Sequence, residues 1–565
     1  MKIALAQLNP TVGDLAGNSR KVIDAITHAR DQGAELVVFS ELIICGYPPR
    51  DLLLVEGFVE ECAAMVKSIG ENHTKDIAVI IGSPLPADDQ TGFHSAIANS
   101  LLVYSNNEYI NYYDKRLLPT YDVFDEDRYF TPGNEHRIVE IGTTKIGLAI
   151  CEDLWKGDDS GFSNRYSDDT DPVSQLINAG AQIIIAPSAS PFVLGKAHKH
   201  IDILANHARK HAVPVVSVNQ AGANDDLIFA GQSTVVNERG EVCAQCKSFH
   251  KDLVIIDTNN LAPIKQSARP DEHIIIEALT LGIHDYVTKC GFKQVCLGLS
   301  GGIDSAIVAA LAVRALGEDN VLGVSMPGKF SSDHSKTDAY DLAANMGMNC
   351  ITMPIETGFI GICESLNPAF TSIDQPELGE FLPDLTQENL QSRIRGTMMM
   401  ALSNRTGALV LTTGNKSEIA VGYCTLYGDM NGGLAVIADI PKTMVFKVCR
   451  YMNEHFAQLG YDEPPIPVNT IEKPPSAELA PNQLDSDSLP DYTILDEIVE
   501  RHIEGHQNAS RIIEETSFDA DTVNRICKLI DRNEYKRQQM AVGLKVTTKA
   551  FGPGRRMPIA HRWTR

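Results

Sequence analysis

The segment Ser300-Gly-Gly-Ile-Asp-Ser305 has the residue types needed to bind an anion. An apolar run, Val295–Leu299, precedes it, and a stretch rich in helix-forming residues, Ala306–Leu316, follows it. This order predicts a buried strand, a glycine turn and the start of a helix. Paired glycines let backbone N–H groups converge on an anion, and the helix dipole favours negative charge there. The lysine of a GxxxxGK[ST] loop is absent, so this is not a Walker-type loop. A plain glycine-rich turn of an α/β domain is the alternative.

Three further segments each place one reactive side chain directly after an apolar run. They are Val37–Leu42 with Glu41, Tyr112–Pro119 with Lys115, and Gly147–Asp153 with Cys151. In open α/β folds, active sites collect at the ends of strands. Taken singly, each side chain has a structural explanation as well: a strand-end glutamate, a solvated lysine or a buried structural cysteine.

The elements that would position these side chains belong to α/β domains. In the first 260 residues, apolar runs rich in Val, Ile and Ala alternate with helical stretches, and the runs lack clean alternation, which indicates strands buried on both faces. The predicted strands are Lys2–Leu8, Glu35–Phe39, Ile77–Gly82, Ala98–Tyr104, Thr144–Ile150, Gln182–Ala186, Val213–Asn219 and Leu253–Asp257, and the predicted helices include Asn18–Asp31 and Lys196–Lys210.

A linker is predicted at Leu261–Asp271, which has two prolines and little periodicity. The predicted domains are therefore residues 1–262 and 272–565, and the second is a further α/β unit that begins with a helix up to Cys290. Thr371–Gln387 and Lys473–Pro490 are predicted to be long loops, and the second is expected to be a mobile lid.

Bulk composition limits the possible classes. The net charge is −24, from 49 Lys and Arg against 73 Asp and Glu, which argues against nucleic acid or an anionic membrane as a partner. The start of the chain is strand-like rather than a signal peptide, and no uncharged apolar run reaches transmembrane length. The 12 cysteines are scattered, which fits a cytoplasmic protein with reduced thiols. Cys243 and Cys246 form one CxxC without a second pair, so a zinc site is not expected.

In their order and spacing, Glu41, Lys115 and Cys151 resemble the Glu–Lys–Cys triad of the nitrilase-type carbon–nitrogen hydrolases. The resemblance covers roughly residues 1–260 and implies a nitrilase-like α/β layered sandwich. In amide hydrolysis, Cys151 would form the acyl intermediate, Glu41 would act as general base, and Lys115 would hold a positive charge beside the oxyanion.

The same resemblance implies contacts to a glutamine substrate from Tyr121, Ser190 and Lys196. In relatives that use glutamine, these positions hold its α-amino and α-carboxylate ends. Lys196 is either such a contact or an ordinary surface lysine.

The glycine loop is similar to the pyrophosphatase loop of the ATP-pyrophosphatase superfamily. Further segments, among them Thr412–Glu418, Asp429–Leu434, Ala438–Thr443, Lys473–Leu479 and Lys545–Ile559, resemble the NAD synthetase family. With the first domain ahead of it, the chain resembles the glutamine-dependent form of that family over nearly its full length. The implied fold of the second domain is a doubly wound parallel-sheet nucleotide-binding domain.

This second resemblance implies ligand contacts and a metal site. The residues expected to bind ATP are Gly298, Leu299, Ser300, Gly301, Gly302, Ile303, Asp304, Ser305, Met326 and Thr413. Those expected to bind deamido-NAD are Asn389, Glu418 and Lys549, which would contact it, and Tyr423 and Asp429, which would lie near it. Asp304 and Glu418 would hold Mg²⁺ against the ATP phosphates, since Mg²⁺ commonly takes one or two protein carboxylates plus phosphate oxygens. Two explanations without a ligand stay open: Glu418 as a first-turn acid, and the basic tail with Lys549 as a solvated surface run.

The implied activity is that of a ligase in NAD biosynthesis. Glutamine would be hydrolysed to ammonia, and the ammonia would amidate deamido-NAD that ATP has adenylylated, with AMP, pyrophosphate and glutamate as the other products. The resemblance also implies a homo-oligomer. Two rival classes are an amidase with a regulatory nucleotide-binding half and another ATP-pyrophosphatase amidotransferase, and the Glu41–Lys115–Cys151 set counts against the latter, whose glutaminases are of other types.

Overall fold

The chain folds as two compact units, Met1–Ala268 and Arg269–Arg565. The computed structural model describes residues 1–87, 96–156, 166, 171–378, 384–481 and 483–563. Residues 261–270, which include Pro263 and Pro270, form neither helix nor strand. Within these described ranges, no helix is both long and apolar enough to cross a membrane.

The first unit contains all the strands and helices named from its sequence, most of them with ends within two residues of the expected ones. Its strands are β1 (Lys2–Gln7), β2 (Leu36–Phe39), β3 (Ala78–Ala87), β4 (Ala96–Ser105), β5 (Glu108–Asp114), β6 (Ile138–Ile141), β7 (Thr144–Leu148), β8 (Ile183–Ser188), β9 (Val215–Asn219), β10 (Ala221–Asn224), β11 (Leu227–Ala230), β12 (Thr234–Val236), β13 (Val242–Gln245) and β14 (Asp252–Asp257). Its helices are α1 (Leu15–Asp31), α2 (Phe58–His73), α3 (Pro172–Asn178) and α4 (Lys196–His211).

Two mixed six-stranded sheets, in the orders β14-β1-β2-β3-β4-β5 and β13-β12-β9-β8-β7-β6, form the middle of this unit. Successive side chains of a strand point to opposite faces, so each central strand serves two cores. In β1, Ile3 and Leu5 pack with residues of the other sheet, whereas Ala4 and Ala6 pack beneath α1 and α2. The second sheet is covered by α3 and α4 in the same way. This is the expected layered sandwich, and it explains why its apolar runs do not alternate.

The second unit is built on one parallel sheet. Its strands are β15 (Val295–Gly298), β16 (Val321–Ser325), β17 (Asn349–Thr352), β18 (Leu409–Thr412), β19 (Leu434–Ala435) and β20 (Val542–Gly543). Its helices are α5 (Asp271–Lys289), α6 (Ile303–Leu316), α7 (Asp333–Asn345), α8 (Glu356–Ser372), α9 (Leu385–Thr406), α10 (Lys416–Val421), α11 (Lys442–Glu454), α12 (Val468–Glu472), α13 (Tyr492–Val499), α14 (Ala509–Glu515), α15 (Ala520–Arg532) and α16 (Glu534–Arg537).

The sheet has the strand order β17-β16-β15-β18-β19-β20. From β15 the next strands along the chain are added on one side, and from β18 they are added on the other, so the order reverses between β15 and β18. Every pair in this sheet is parallel, so the fold is the expected doubly wound type. Ligands of such folds bind outside the carboxyl ends of the strands at the point of reversal. The glycine loop after β15 and the Thr412–Glu418 segment after β18 both lie at that point.

The two predicted loops are only partly irregular. Residues 371–372 end α8 and residues 385–387 begin α9, because the Asp384 carboxylate caps α9 by accepting the Gln387 backbone N–H. Residues 379–383 lie outside the described part of the chain. The Lys473–Pro490 segment contains one 3₁₀ turn, Asp485–Asp487, and residue 482 lies outside the described part as well.

Candidate active sites

The first unit brings Glu41 and Lys115 into direct contact. Glu41 lies two residues beyond β2 and Lys115 directly follows β5, and each side chain is only 1% exposed. The Lys115 Nζ donates to Glu41 Oε1 at 2.7 Å and to Glu126 Oε1 at 2.8 Å. Asn99 Nδ2 also donates to Glu41 Oε1, at 2.8 Å, and the Ala189 backbone N–H donates to Oε2 at 2.9 Å. The ammonium therefore bridges two buried carboxylates, and the position of Glu41 is fixed on every side.

Cys151 lies beside this pair in a strained backbone conformation. It follows β7 with a φ of +40°, at the start of a 3₁₀ turn, Cys151–Leu154. A non-glycine residue with positive φ persists only where its surroundings fix it, and such residues cluster at functional sites. Burial raises the pKa of the Cys151 thiol, the charge of Glu41 adds to this, and Lys115 opposes it. The resting thiol is thus protonated and needs a base.

Lys115 keeps its charge although it is buried. Burial alone disfavours an ammonium, but Glu126 and Glu41 outweigh that effect and raise the Lys115 pKa well above its usual value. For Glu126, burial is the largest influence and raises the pKa to about 7, with Lys115 opposing it. A permanent positive charge is therefore available next to the thiol.

Glu126 is a site residue that the sequence analysis missed. It opens a short 3₁₀ turn, Glu126–Arg128, and it also accepts a hydrogen bond from the Tyr47 hydroxyl at 2.7 Å. No motif surrounds it, and its position depends on how the loop after Lys115 folds back. The signal that could have found it is the need of a buried lysine for more than one counter-charge.

The expected glutamine contacts lie close to this centre. Lys196 Nζ donates to Ser190 Oγ at 3.0 Å and lies 5.5 Å from the centre of the Trp155 ring. Tyr121 donates its hydroxyl to Glu152 Oε2 at 3.0 Å. Glu152 was not singled out from the sequence, yet it is buried next to Cys151 and burial raises its pKa. Ser190 and Lys196 line one cavity, and Tyr121 and Glu152 pair separately near the cysteine.

In the second unit, the glycine loop has one position, Gly301, that only glycine fits. Gly301 has a φ of +74°, and a Cβ there would stand 2.4 Å from the Ser335 carbonyl oxygen. The Gly302 N–H donates to Ser300 Oγ at 3.1 Å, and Ser305 Oγ donates to the Gly302 carbonyl at 2.9 Å. Close packing against α7 thus shapes the loop at the start of α6.

A large cavity opens at the reversal point of the sheet. Most of the residues expected from the sequence line it, namely Gly298, Leu299, Ser300, Gly302, Ile303, Asp304, Ser305, Met326, Thr413, Glu418, Tyr423 and Asp429. Three expected residues, Gly301, Asn389 and Lys549, are not part of its wall. Asn389 Oδ1 accepts a hydrogen bond from Thr425 Oγ1 at 2.8 Å, next to the segment that carries Asp429.

Lys549 belongs to a backbone segment held by a second buried lysine. Lys416 Nζ donates to the Lys549 carbonyl at 3.0 Å and forms ion pairs with Asp439 at 3.0 Å and Glu504 at 2.7 Å. Asp439 in turn accepts the backbone N–H groups of Val546 and Thr547. The basic tail is therefore an ordered part of this unit up to Lys549, not a loosely solvated run.

Lys442, to which the sequence analysis gave no role, bridges Asp304 and Glu418. The Lys442 ammonium, 2% exposed, donates to Asp304 Oδ2 and, at 2.9 Å, to Glu418 Oε1. Burial raises the pKa of Glu418 to about 7, Lys442 opposes this, and the charges of Asp304 and Asp485 add to it. Three carboxylates thus surround one ammonium in this part of the cavity wall.

This arrangement suits a Mg²⁺ ion that the protein coordinates jointly with a bound phosphate, rather than one that protein ligands alone enclose. Within the described ranges, no group of three or more His, Cys, Asp or Glu residues could hold a metal by itself. Asp304 and Glu418 offer two carboxylates to one point, and Mg²⁺ commonly completes its coordination with phosphate oxygens and water. The two residues fit the ion only together with a phosphorylated ligand.

The Lys473–Pro490 segment closes one side of the cavity. Glu478 accepts hydrogen bonds from Ser332 Oγ at 3.0 Å and Ser335 Oγ at 2.6 Å, and Lys473 forms an ion pair with Asp338 at 2.9 Å. These contacts attach the segment to α7. Its opening and closing as a lid stays a prediction.

Comparison with known proteins agrees with both halves of this description. The sequence model of the carbon-nitrogen hydrolase family matches residues 2–164 and 169–266, and that of the NAD synthase family matches residues 275–540. A glutamine-dependent NAD(+) synthetase from Synechocystis sp. is 45% identical, over 99% of this chain and 98% of that protein.

The chain belongs to the glutamine-dependent NAD(+) synthetase family. A second family member, from Thermotoga maritima, is 38% identical over all of this chain and 99% of its own length. The structure of the Acinetobacter baumannii glutamine-dependent NAD+ synthetase in complex with ADP is 36% identical, covers 99% of this chain and 98% of its own, and has a TM-score of 0.75.

The raised pKa of Glu126 predicts a pH limit on glutamine hydrolysis. When Glu126 takes a proton below pH about 7, the Lys115 ammonium faces Glu41 alone, and its charge then opposes the proton transfer expected of that carboxylate. We expect ammonia release at saturating glutamine to fall as the pH drops through that value. Glu126→Gln should lower the rate at pH 8 by at least about tenfold and should remove most of the fall in rate toward low pH. If the rate of Glu126→Gln still fell through the same pH, another group would be responsible for the fall.

The raised pKa of Glu418 predicts pH-dependent binding of Mg²⁺. A protonated carboxylate does not ligate a hard cation, so affinity should strengthen as the pH rises through about 7. Calorimetric titration of Mg²⁺ into enzyme holding a non-hydrolysable ATP analogue should show about tenfold tighter binding at pH 8 than at pH 6. Glu418→Gln should bind weakly at both values, and equal affinities in the unmodified enzyme would contradict the prediction.

Proposed function

We propose that this enzyme makes NAD from deamido-NAD, ATP and glutamine, with residues 1–262 as the glutaminase domain and 272–565 as the NAD synthetase domain. Full-length similarity to named glutamine-dependent NAD(+) synthetases supports the overall reaction. The single structural observation that carries it is the presence, in one chain, of the Glu41–Lys115–Cys151 cluster and of a nucleotide cavity with a glycine loop. The ADP complex of the Acinetobacter baumannii enzyme supports ATP as the nucleotide.

In the glutaminase half-reaction, Cys151 attacks the side-chain amide of glutamine. Glu41 takes the thiol proton and passes it to the leaving nitrogen, so that ammonia departs and a thioester remains. Lys115 offsets the negative charge of the tetrahedral oxyanion. Water then attacks the thioester with Glu41 as base, and glutamate and the free thiol result. Lys196 with Ser190 suits the α-carboxylate of glutamine, while Glu152 with Tyr121 suits its α-ammonium group.

In the synthetase half-reaction, the nicotinate carboxylate attacks the α-phosphorus of ATP and pyrophosphate leaves. Ammonia then attacks the acyl carbon of the adenylate, and AMP leaves. Adenylation is needed because a carboxylate does not react with amines at neutral pH. The N–H groups at the start of α6 and the Lys442 ammonium suit the phosphates, and Met326 and Thr413 line the nucleotide cavity.

Mg²⁺, held by Asp304 and Glu418 together with phosphate oxygens, would offset charge on the departing pyrophosphate. We assign deamido-NAD to the side of the cavity with Tyr423 and Asp429. Asn389 and Lys549 would reach the dinucleotide from just outside the cavity wall. A basic side chain at Lys549 suits the dinucleotide phosphates in an otherwise acidic chain.

The direct test is to incubate the enzyme with glutamine, ATP, Mg²⁺ and deamido-NAD and to follow NAD and pyrophosphate together. Equimolar formation of both is expected. Release of ammonia without NAD would favour the rival amidase with a regulatory nucleotide-binding half.

The two half-reactions should be separable by mutation. Cys151→Ala should abolish NAD formation from glutamine, by at least about 10³-fold, and leave formation from added ammonium salts largely intact, because ammonia from solution bypasses the thiolate. Asp304→Ala should abolish synthesis from both nitrogen sources. Glu41→Gln and Lys115→Ala should behave like Cys151→Ala. If folded Cys151→Ala lost both activities, a single shared site would have to replace the two-site mechanism.

We further propose a cytoplasmic homo-oligomer. All twelve cysteines are free, which fits a reducing compartment. Helix α8 has no buried residue although it carries Ile360 and Ile362, which are 47% and 39% exposed, and the nearby edge strand β17 exposes Ile351. A second copy of the chain would cover such an apolar surface.

Light scattering should therefore give a mass of at least two chains. Ile360→Glu combined with Ile362→Glu should lower it. Ile264→Glu is the matched control and should leave the mass unchanged, because Ile264 is 45% exposed and no other large hydrophobic side chain of segment 261–270 is exposed beside it. A monomer in the unmodified protein would contradict the proposal.

A further inference from the structure

Asp153 is a fully buried carboxylate with no part in the chemistry proposed above, yet it lies two residues after the nucleophile. Its two oxygens accept four hydrogen bonds. Oδ2 accepts the Ile150 backbone N–H at 2.9 Å and the Tyr113 hydroxyl at 2.8 Å. Oδ1 accepts the backbone N–H groups of Leu117 at 3.0 Å and Arg116 at 3.2 Å.

These four donors flank the two reactive residues. Ile150 immediately precedes Cys151, whereas Tyr113, Arg116 and Leu117 surround Lys115. Cys151 follows a strand of one sheet and Lys115 follows a strand of the other, so sheet hydrogen bonds do not set the distance between them. The Asp153 carboxylate ties the residue before Cys151 directly to the residues on both sides of Lys115.

The same carboxylate stabilises the strained turn at the nucleophile. Cys151 adopts its φ of +40° between the end of β7 and the 3₁₀ turn. The Ile150 N–H, just before this residue, is held by Asp153 Oδ2, and the Asp153 N–H donates back to the Ile150 carbonyl at 2.9 Å. This reciprocal pair closes the turn around Cys151 and fixes the direction of its side chain.

We propose that Asp153 is a positioning residue of the glutaminase: its carboxylate sets the placement of the Cys151 thiol relative to the Lys115 ammonium. This inference rests on the proposed glutaminase function. In this proposal Asp153 acts through the two segments it joins. A carboxylate is required because all four partners donate, and an amide presents an N–H₂ group to two of them.

The test compares Asp153→Asn with Asp171→Asn in the full-length enzyme. Asp171 is a matched control because its carboxylate also accepts a backbone N–H and a hydroxyl, both from Ser174, at the start of α3. For each variant, glutamine-dependent and ammonium-dependent NAD formation are measured, together with thermal unfolding. A glutamine-like diazoketone that alkylates the active-site cysteine counts the competent sites.

In Asp153→Asn we expect the glutaminase kcat per labelled site to fall about 10²-fold, because a shift of about 1 Å between reacting groups costs that much. The KM for glutamine should stay within about threefold, since the expected substrate contacts are untouched. Ammonium-dependent synthesis should be retained. Tyr113→Phe, which removes one donor of four, should lose less than Asp153→Asn.

A purely structural role gives a different result. Asp153→Asn would then have fewer labelled sites, each with the unmodified kcat, or would match Asp171→Asn throughout, and either outcome would overturn the inference. If Asp153→Asn fails to fold, Tyr113→Phe under the same measurement decides: an unchanged kcat per site would also overturn it. Failure of the proposed function itself is distinguishable, because the unmodified enzyme would then form no NAD from glutamine, or Cys151→Ala would still form it.

Discussion

A buried lysine between two carboxylates is the interaction on which both sites depend. Lys115 lies between Glu41 and Glu126 in the first unit, and Lys442 lies between Asp304 and Glu418 in the second. Removing an ammonium from water costs several kcal/mol, and one carboxylate seldom repays it unless the geometry is excellent. Two carboxylates on one ammonium keep its charge inside the protein, as the raised pKa of Lys115 indicates, although each buried carboxylate adds a desolvation cost of its own.

The cost also explains the rigidity around each lysine. Glu41 is held by Asn99 and by the Ala189 N–H, and Asp304 accepts a hydrogen bond from Asn415 Nδ2 at 2.9 Å. A further buried lysine, Lys416, is also paired with two carboxylates, Asp439 and Glu504, and this cluster holds the segment with Lys549 in place. The layers of the fold keep water away from these clusters, because solvent would screen the attraction between each ammonium and its carboxylates.

Much of this architecture could be predicted from the sequence, and the limits have a physical origin. Strands such as β1, β8 and β15 are buried on both faces, so their apolar runs stand out without any partner information. Glu41 and Cys151 could be found because each follows such a run, whereas Lys115 follows β5, which is largely exposed, and was found from the motif resemblance alone. Glu126, Asp153 and Lys442 could not be assigned in this way, because each acts through contacts made by chain folding. Lys442 and Asp304, for example, are 138 residues apart.

In the resting state of both sites, a buried lysine is paired with two carboxylates, and a bound substrate must alter that pairing. With Lys115 engaged by two carboxylates and the pKa of the Cys151 thiol raised by burial, the resting thiol keeps its proton until a base removes it. An oxyanion that forms near Lys115 would compete with Glu41 for the ammonium. In the second unit, phosphates that approach Lys442 would compete with Asp304 and Glu418 in the same way and would leave those carboxylates available to a cation. In each site, negative charge that arrives or forms beside the lysine would thus free the neighbouring carboxylates.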